Sequence, residues 1–166
     1  MATQKDHYST NNKKSNRKLQ VIAENIRTPE NLGMILRISE AFGVAHIYFV
    51  GQLGVELTTK AKRASRNTYK KNNFEFIANA DSLINDLKTE GARLIAVEIT
   101  NNSQPMLALK VEEDEHLVLI IGSEREGISQ SLLAKIPEAY HIDMYGENSS
   151  LNVTNALAIA LYQTVQ

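Results

Sequence analysis

The chain has no cysteine among its 166 residues. That excludes a disulfide framework, a cysteine nucleophile, an iron–sulfur cluster and a cysteine-ligated zinc site. Its four histidines, His7, His46, His116 and His141, are scattered, and none has the H-x-x-x-H spacing of a helical metal site. No metal is therefore expected. Apolar runs are only a few residues long, far short of the ~20 that a membrane helix needs. The N-terminus is polar and lacks the apolar stretch of a secretory signal. A glycine-rich phosphate loop is missing as well: neither G-x-G-x-x-G nor Gly-Lys-Ser/Thr occurs. That counts against a small-molecule enzyme built on a nucleotide cofactor. What remains is a cytoplasmic enzyme or binding domain without membrane attachment. The 43% apolar and 22% charged fractions are those of a globular chain, and the length suits one domain with an ordinary core.

The net charge of −1 conceals an asymmetry. Residues 1–71 hold 13 Lys and Arg against 5 Asp and Glu, a balance of +8. Residues 72–166 hold 5 against 14, a balance of −9. One basic face is expected, and a basic face suits a polyanion. Two basic stretches stand out. Residues 1–18 are polar without apolar period and read as a flexible basic arm carrying Lys13, Lys14, Arg17 and Lys18. Residues 60–71 hold six basic residues in twelve: Lys60, Lys62, Arg63, Arg66, Lys70 and Lys71. No acidic residue interrupts them, which favours phosphate contact over a merely solvated face.

After the arm, strand and helix patterns alternate over residues 19–166. Strands are expected at 19–23, 45–50, 74–78, 93–98, 117–121 and 141–144. Helices are expected at 29–42, 81–90, 130–135 and 152–162, and the basic stretch 56–71 can form a further one. Thr28 and Pro29 suit a helix start, and Gly43 a helix end. The fold class is α/β, with a mainly parallel sheet and helices on both faces. Ligands of such sheets bind beyond the carboxyl ends of the strands.

Three segments carry candidate chemistry. The first runs from Asn25 to Gly43 and contains Asn31, Gly33 and Arg37. Asn31 and Arg37 are six apart, about 1.7 helical turns, so they occupy different helix faces. Arg37 can clamp a phosphate or carboxylate, or it can pair with Glu40 on the surface. Gly33 within a helix costs roughly 1 kcal/mol against alanine, which implies close packing or a ligand at the backbone. The second segment is Gly122-Ser123-Glu124-Arg125-Glu126-Gly127, directly after the most apolar strand. The third runs from Ile142 through Ser149, Ser150, Leu151 and Asn152 into an apolar, alanine-rich helix. Ser149 or Ser150 can cap that helix, and its apolar surface suits burial, a second subunit included.

In this order and at these distances, the three segments resemble the signature motifs of the SpoU (TrmH-type) RNA methyltransferases, of the SPOUT class. Asn31, Gly33 and Arg37 match the first motif. Gly122, Glu124 and Gly127 match the second. Ile142 to Met144, followed by Ser150-Leu151-Asn152-Val153-Thr154, matches the third. The likeness covers residues 25 to 162. Departures are Ile38-Ser39 after the arginine, Thr154 for a serine, and Gln163 for a glutamate.

The resemblance implies a C-terminal deep trefoil knot and S-adenosylmethionine bound in the knot crevice. It implies a homodimer through the knot region and the final helix, and methyl transfer to a ribose 2′-hydroxyl of RNA, transfer RNA ahead of ribosomal RNA. Gly122, Ile142 and Leu151, with Val97 and Met144, match the family's cofactor-contacting positions. Arg37 inherits the catalytic role, with Asn31, Glu124, Ser150 and Asn152 positioning it, the ribose and the cofactor; Glu124 is expected to be able to hold the arginine. RNA capture falls to the arm, residues 60–71 and the dimer surface. A non-catalytic RNA-binding relative is the competing reading, but it predicts loss of Asn31, Arg37, Glu124 or Asn152.

Overall fold

The computed structural model describes Thr3, Asn12, residues 16–52 and residues 56–166. Lys13, Lys14 and most of the arm expected over 1–18 lie outside the described residues. The elements in chain order are β1 (Lys18–Glu24), α1 (Pro29–Ala41), β2 (His46–Val50), α2 (Thr59–Ala64), β3 (Phe74–Ile77), α3 (Asp81–Thr89), β4 (Arg93–Val97), β5 (Gln104–Pro105), β6 (His116–Ile121), α4 (Gln130–Leu133), β7 (Glu138–His141) and α5 (Val153–Thr164). Short 3-10 turns lie at Thr68–Lys70 and Met106–Ala108.

The seven strands form one sheet in the order β3-β2-β1-β6-β4-β7-β5, and every pairing is parallel. Strand alternation sorts the core into two layers. On one face Leu117, Leu119 and Ile121 of β6 join Leu19, Val21 and Ala23 of β1 under α1, α2 and α5. On the other, Val118 and Ile120 join Ile22, Leu94 and Ala96 under α3 and α4. Each Leu, Ile or Val among them contributes about 1.5–3 kcal/mol on full burial. The wholly buried run Leu117–Ile121 therefore outweighs any single polar contact, which places β6 mid-sheet.

Several boundaries differ from the sequence expectation. The last strand is Glu138–His141 rather than 141–144. Its position is fixed by pairing with Ile95–Val97 and by a fork in which Arg93 donates to both carboxylate oxygens of Glu138, at 2.8 and 2.7 Å. Ile142 and Met144 are thereby released from the ladder. Strand β5 has only two residues, too few to display a period, and its Pro105 is accommodated at the sheet edge. The basic stretch is a six-residue helix followed by a 3-10 turn, not one continuous helix. The cap of α5 is neither Ser149 nor Ser150 but Asn152, whose Oδ1 accepts from the Thr154 amide at 2.9 Å. Gly43 has φ +68 just past α1, as a glycine helix stop requires. Among the described residues no helix is long and apolar enough to cross a membrane.

Candidate active site at the carboxyl ends of the strands

Because all strands run the same way, the loops after β1, β4, β6 and β7 emerge along one edge of the sheet. A cavity of about 780 Å³ opens there. Val97, Gly122, Ile142, Met144 and Leu151 all line it. These are the five positions matched to cofactor contact in the sequence. Glu124 and Ser150 line it too. The volume lies within the ~300–1,000 Å³ usual for small-molecule sites. Four of the five supply apolar wall. The fifth, Gly122, lets two stretches of main chain meet: a Cβ there would lie 2.2 Å from both the Gly127 oxygen and the Ile128 nitrogen. Ser123 and Gly127 exchange backbone hydrogen bonds, which closes the loop into a tight hairpin.

Glu124 stands at the rim of this cavity and joins the three motifs. Its Oε1 accepts from the Asn31 amide group in the first turn of α1 and, at 3.0 Å, from Asn152 Nδ2. Asn152 Nδ2 also approaches Asn31 Oδ1 at 3.4 Å, and Thr28 Oγ1 lies 3.5 Å from Glu124 Oε2. Asn31 is buried. Asn152 is held from its other end, because its Oδ1 accepts from both the amide and the hydroxyl of Thr154. An amide shared between a helix cap and a carboxylate has one orientation left to it.

Arg37 does not join this cluster. It is half-buried on α1 and has no hydrogen bond or ion pair among the described residues. Glu124, already engaged with two amides, does not hold it. Nor does Glu40, whose carboxylate takes Lys71 at 3.4 Å instead. Ser150 is exposed and likewise outside the hydrogen-bonded cluster. Among the described residues no group of three or more His, Asp or Glu could hold a metal ion.

Glu98 was not singled out in the sequence. It follows β4 and lines the cavity. Its Oε2 accepts from the Ile128 amide at 3.1 Å and its Oε1 from the Ile99 amide at 2.9 Å. Gly127, with φ +64, leaves room for this carboxylate: a Cβ there would sit 2.5 Å from Glu98 Oε2. The available signal was its place at a strand end, one residue beyond Val97. Glu24 plays a similar part at the end of β1, accepting from both the amide and the hydroxyl of Ser129 at 2.7 Å.

The basic residues divide into two groups. Arg17 is engaged within the fold: it donates to the main-chain oxygens of Glu112 at 2.9 Å, Thr164 at 2.8 Å and Val111 at 3.4 Å. Lys18 pairs with Glu90 at 3.1 Å, Lys60 with Glu30, and Lys71 with Glu40. Lys62, Arg63, Arg66 and Lys70 are exposed and have no ion pair among the described residues.

The model of the SpoU rRNA Methylase family matches residues 18–162. A tRNA (guanosine(18)-2′-O)-methyltransferase of Aquifex aeolicus is 29% identical over 153 residues, which are 90% of this chain and 70% of that protein. The crystal structure of the A. aeolicus TrmH/SpoU tRNA modifying enzyme superposes with a TM-score of 0.79 at 25% identity, covering 89% of this chain and 73% of that one. An AdoMet-bound rRNA methyltransferase from Sinorhizobium meliloti shares the fold with a TM-score of 0.81 at 23% identity, over 89% of this chain and 55% of that one. The next curated relatives are matched over only 56% of their length.

Proposed function

Because the chain belongs to the SpoU rRNA methylase family, we propose that it transfers the methyl group of S-adenosylmethionine to a ribose 2′-hydroxyl of RNA, with transfer RNA ahead of ribosomal RNA. One observation carries the reading. The five residues matched to cofactor contact line one cavity, and the carboxylate that ties the three motifs together stands at its rim. The preference for transfer RNA draws support from the A. aeolicus relative.

The site suits the cofactor. Val97, Ile142, Met144 and Leu151 offer apolar surface for a flat ring, and the Gly122 and Gly127 main chain offers polar groups at close range. When bound, the cofactor supplies an electron-poor methyl group on a cationic sulfur. This chain's residues orient the hydroxyl and stabilise the charge that develops on it. A ribose hydroxyl is a weak nucleophile and must shed its proton as it attacks. A guanidinium is a very weak acid and no base for that proton, which passes to solvent water as the carbon–oxygen bond forms and the carbon–sulfur bond breaks. Arg37 instead binds the phosphate beside the target ribose and stabilises the developing alkoxide. It is free to do so because neither Glu124 nor Glu40 occupies it. Glu124, fixed by Asn31 and Asn152, positions the ribose, and Ser150 borders the cofactor.

The connection between β7 and α5 is read as the trefoil knot of the class. The dimer is read through α5, on which Ile159 and Tyr162 remain 42% and 60% exposed despite an otherwise apolar helix. A cytoplasmic location goes with such a substrate. A purely RNA-binding relative is disfavoured, since Asn31, Arg37, Glu124 and Asn152 are all retained.

The test is methyl transfer from labelled cofactor to pools of unmodified transfer and ribosomal RNA, with Arg37→Ala beside the wild type. Label resistant to alkaline cleavage at one nucleotide, and lost in the variant, is the expected result. Failure of the wild type to bind the cofactor would remove the reading.

A further inference from the structure

The corner formed by α2 and the following 3-10 turn has properties that burial and folding do not explain. It is seated on α1 with unusual closeness. Gly33 of α1 faces α2, and a Cβ there would lie 2.3 Å from the Ala61 oxygen, 2.6 Å from Ala64 Cβ and 2.9 Å from the Ser65 nitrogen. The glycine is thus a packing seat rather than a ligand-binding backbone. It sets α2 directly against the helix that carries Asn31 and Arg37. The Lys60–Glu30 pair ties the start of α2 to the residue just before Asn31. The basic corner therefore adjoins the helix of the first motif through two ion pairs, Lys60–Glu30 and Lys71–Glu40, and a helix-to-helix seat.

The far end of the corner is held in an unfavourable backbone. Arg66 has φ +49 and Asn67 φ +68, two successive left-handed residues, neither a glycine. Asparagine tolerates this region; arginine does so only at a cost that glycine would avoid. The turn is pinned by the Thr68 hydroxyl donating to the Ser65 oxygen at 2.7 Å and by the Ser65 hydroxyl donating to the Lys62 oxygen at 2.8 Å. One result is that Lys62 and Lys70 each lie 5.9 Å from the centre of the Tyr69 ring. Another is that four cations, Lys62, Arg63, Arg66 and Lys70, share one exposed corner without a carboxylate partner among the described residues. Crowding like charges is unfavourable unless a polyanion neutralises them.

We propose that this corner is a phosphate cradle in which Arg63 and Arg66, with Lys62 and Lys70, hold the RNA backbone beside the nucleotide being methylated. The inference rests on the methyltransferase reading and names the surface that this reading leaves open. Lys60 and Lys71 are then tethers of the corner to α1, through Glu30 and Glu40, rather than RNA ligands. Arg17 and Lys18, engaged with main-chain carbonyls and with Glu90, fall outside the cradle.

The experiment measures RNA affinity of the full chain against salt, using unmodified transfer RNA transcripts over about 50–200 mM. Arg63→Gln and Arg66→Gln are each expected to lower the slope of log K on log salt by ~0.7–0.9, the loss of one phosphate contact. KM for RNA should rise several-fold while kcat and cofactor affinity stay unchanged. Arg63→Lys should restore the slope, because a point charge suffices for a phosphate. Arg66→Gly is the most telling variant: relief of the left-handed strain should raise the melting temperature while RNA affinity falls, a pairing that a purely structural role would not give. Unaltered slopes in the Gln variants, with the wild type binding RNA, would overturn the cradle and leave the catalytic reading standing. A wild type that binds cofactor but retains no RNA would overturn both.

Discussion

Asn152 donates to Glu124 at 3.0 Å while its carbonyl end caps α5, so one side chain serves both the helix and the site. The two roles separate on mutation. Asn152→Asp keeps a cap acceptor but loses the donor and sets a second carboxylate against Glu124. It should retain wild-type stability within about 0.5 kcal/mol and lose roughly tenfold or more in kcat. Asn152→Ala loses both functions and should also fall by about 1 kcal/mol in stability. Thermal denaturation beside steady-state kinetics distinguishes them; equal stability losses in the two variants would refute the division.

Among the described residues Arg37 has no partner on its half-buried helix face, and a guanidinium in that situation is available for a ligand. Arg37→Ala should reduce kcat by about 10²-fold or more, the scale of a lost charge-stabilising donor. Arg37→Lys should recover only a small part, since an ammonium cannot meet a phosphate and an alkoxide with a planar fork. Cofactor affinity, measured by calorimetry, should not change in either variant. A large loss of cofactor affinity would move Arg37 from the ribose to the cofactor.

Much of this was legible in the sequence, for identifiable reasons. Strands such as Leu117–Ile121 are buried on both faces, and their apolar runs announce it. The motif residues fall on strand ends and helix starts, where spacing survives folding. Three features were not legible. The join of Asn31 to Glu124 spans 93 residues, and no local pattern encodes such a contact. The pairing of Lys71 with Glu40 depends on how α2 settles on α1, which Gly33 determines. The last strand lies upstream of its expected place because His141–Met144 alternates polar and apolar residues as a strand does, whereas the Arg93–Glu138 fork, a long-range pair, fixes the true register.

Glu98 lies beneath the motif-two hairpin and satisfies two amides at once. Glu98→Gln retains one good acceptor and should weaken cofactor binding only a few-fold. Glu98→Ala leaves the Ile128 and Ile99 amides without that acceptor, a cost of about 1–3 kcal/mol for each one kept from water. The hairpin that closes the cavity should loosen. Cofactor affinity is expected to fall about tenfold or more, with faster amide exchange at Gly127 and Ile128. Unchanged exchange alongside weakened binding would instead mean that Glu98 touches the cofactor itself.

Acid should lower stability over two separate pH ranges, each traceable to a different group. Burial, and then the charge of Lys18, hold His116 below its ordinary value. The unfolded chain therefore takes up a proton first, and stability declines as pH falls from about 6.5 towards the folded value. Hydrogen bonding to Arg93 holds Glu138 below the usual carboxylate range. Its contribution is fully present above about pH 4.5 and is lost as pH drops through the lowered folded value. Arg93, raised by the same bond, stays charged throughout. Arg93→Met should thus cost about 1–3 kcal/mol at neutral pH, for a pair that is only partly buried. It should also flatten the melting-temperature profile below pH ~4.5 while leaving the decline near pH 6.5 intact. His116→Gln should do the reverse, preserving the low-pH limb and removing the upper one. A single melting profile shared by both variants would show that neither group governs the acid limb.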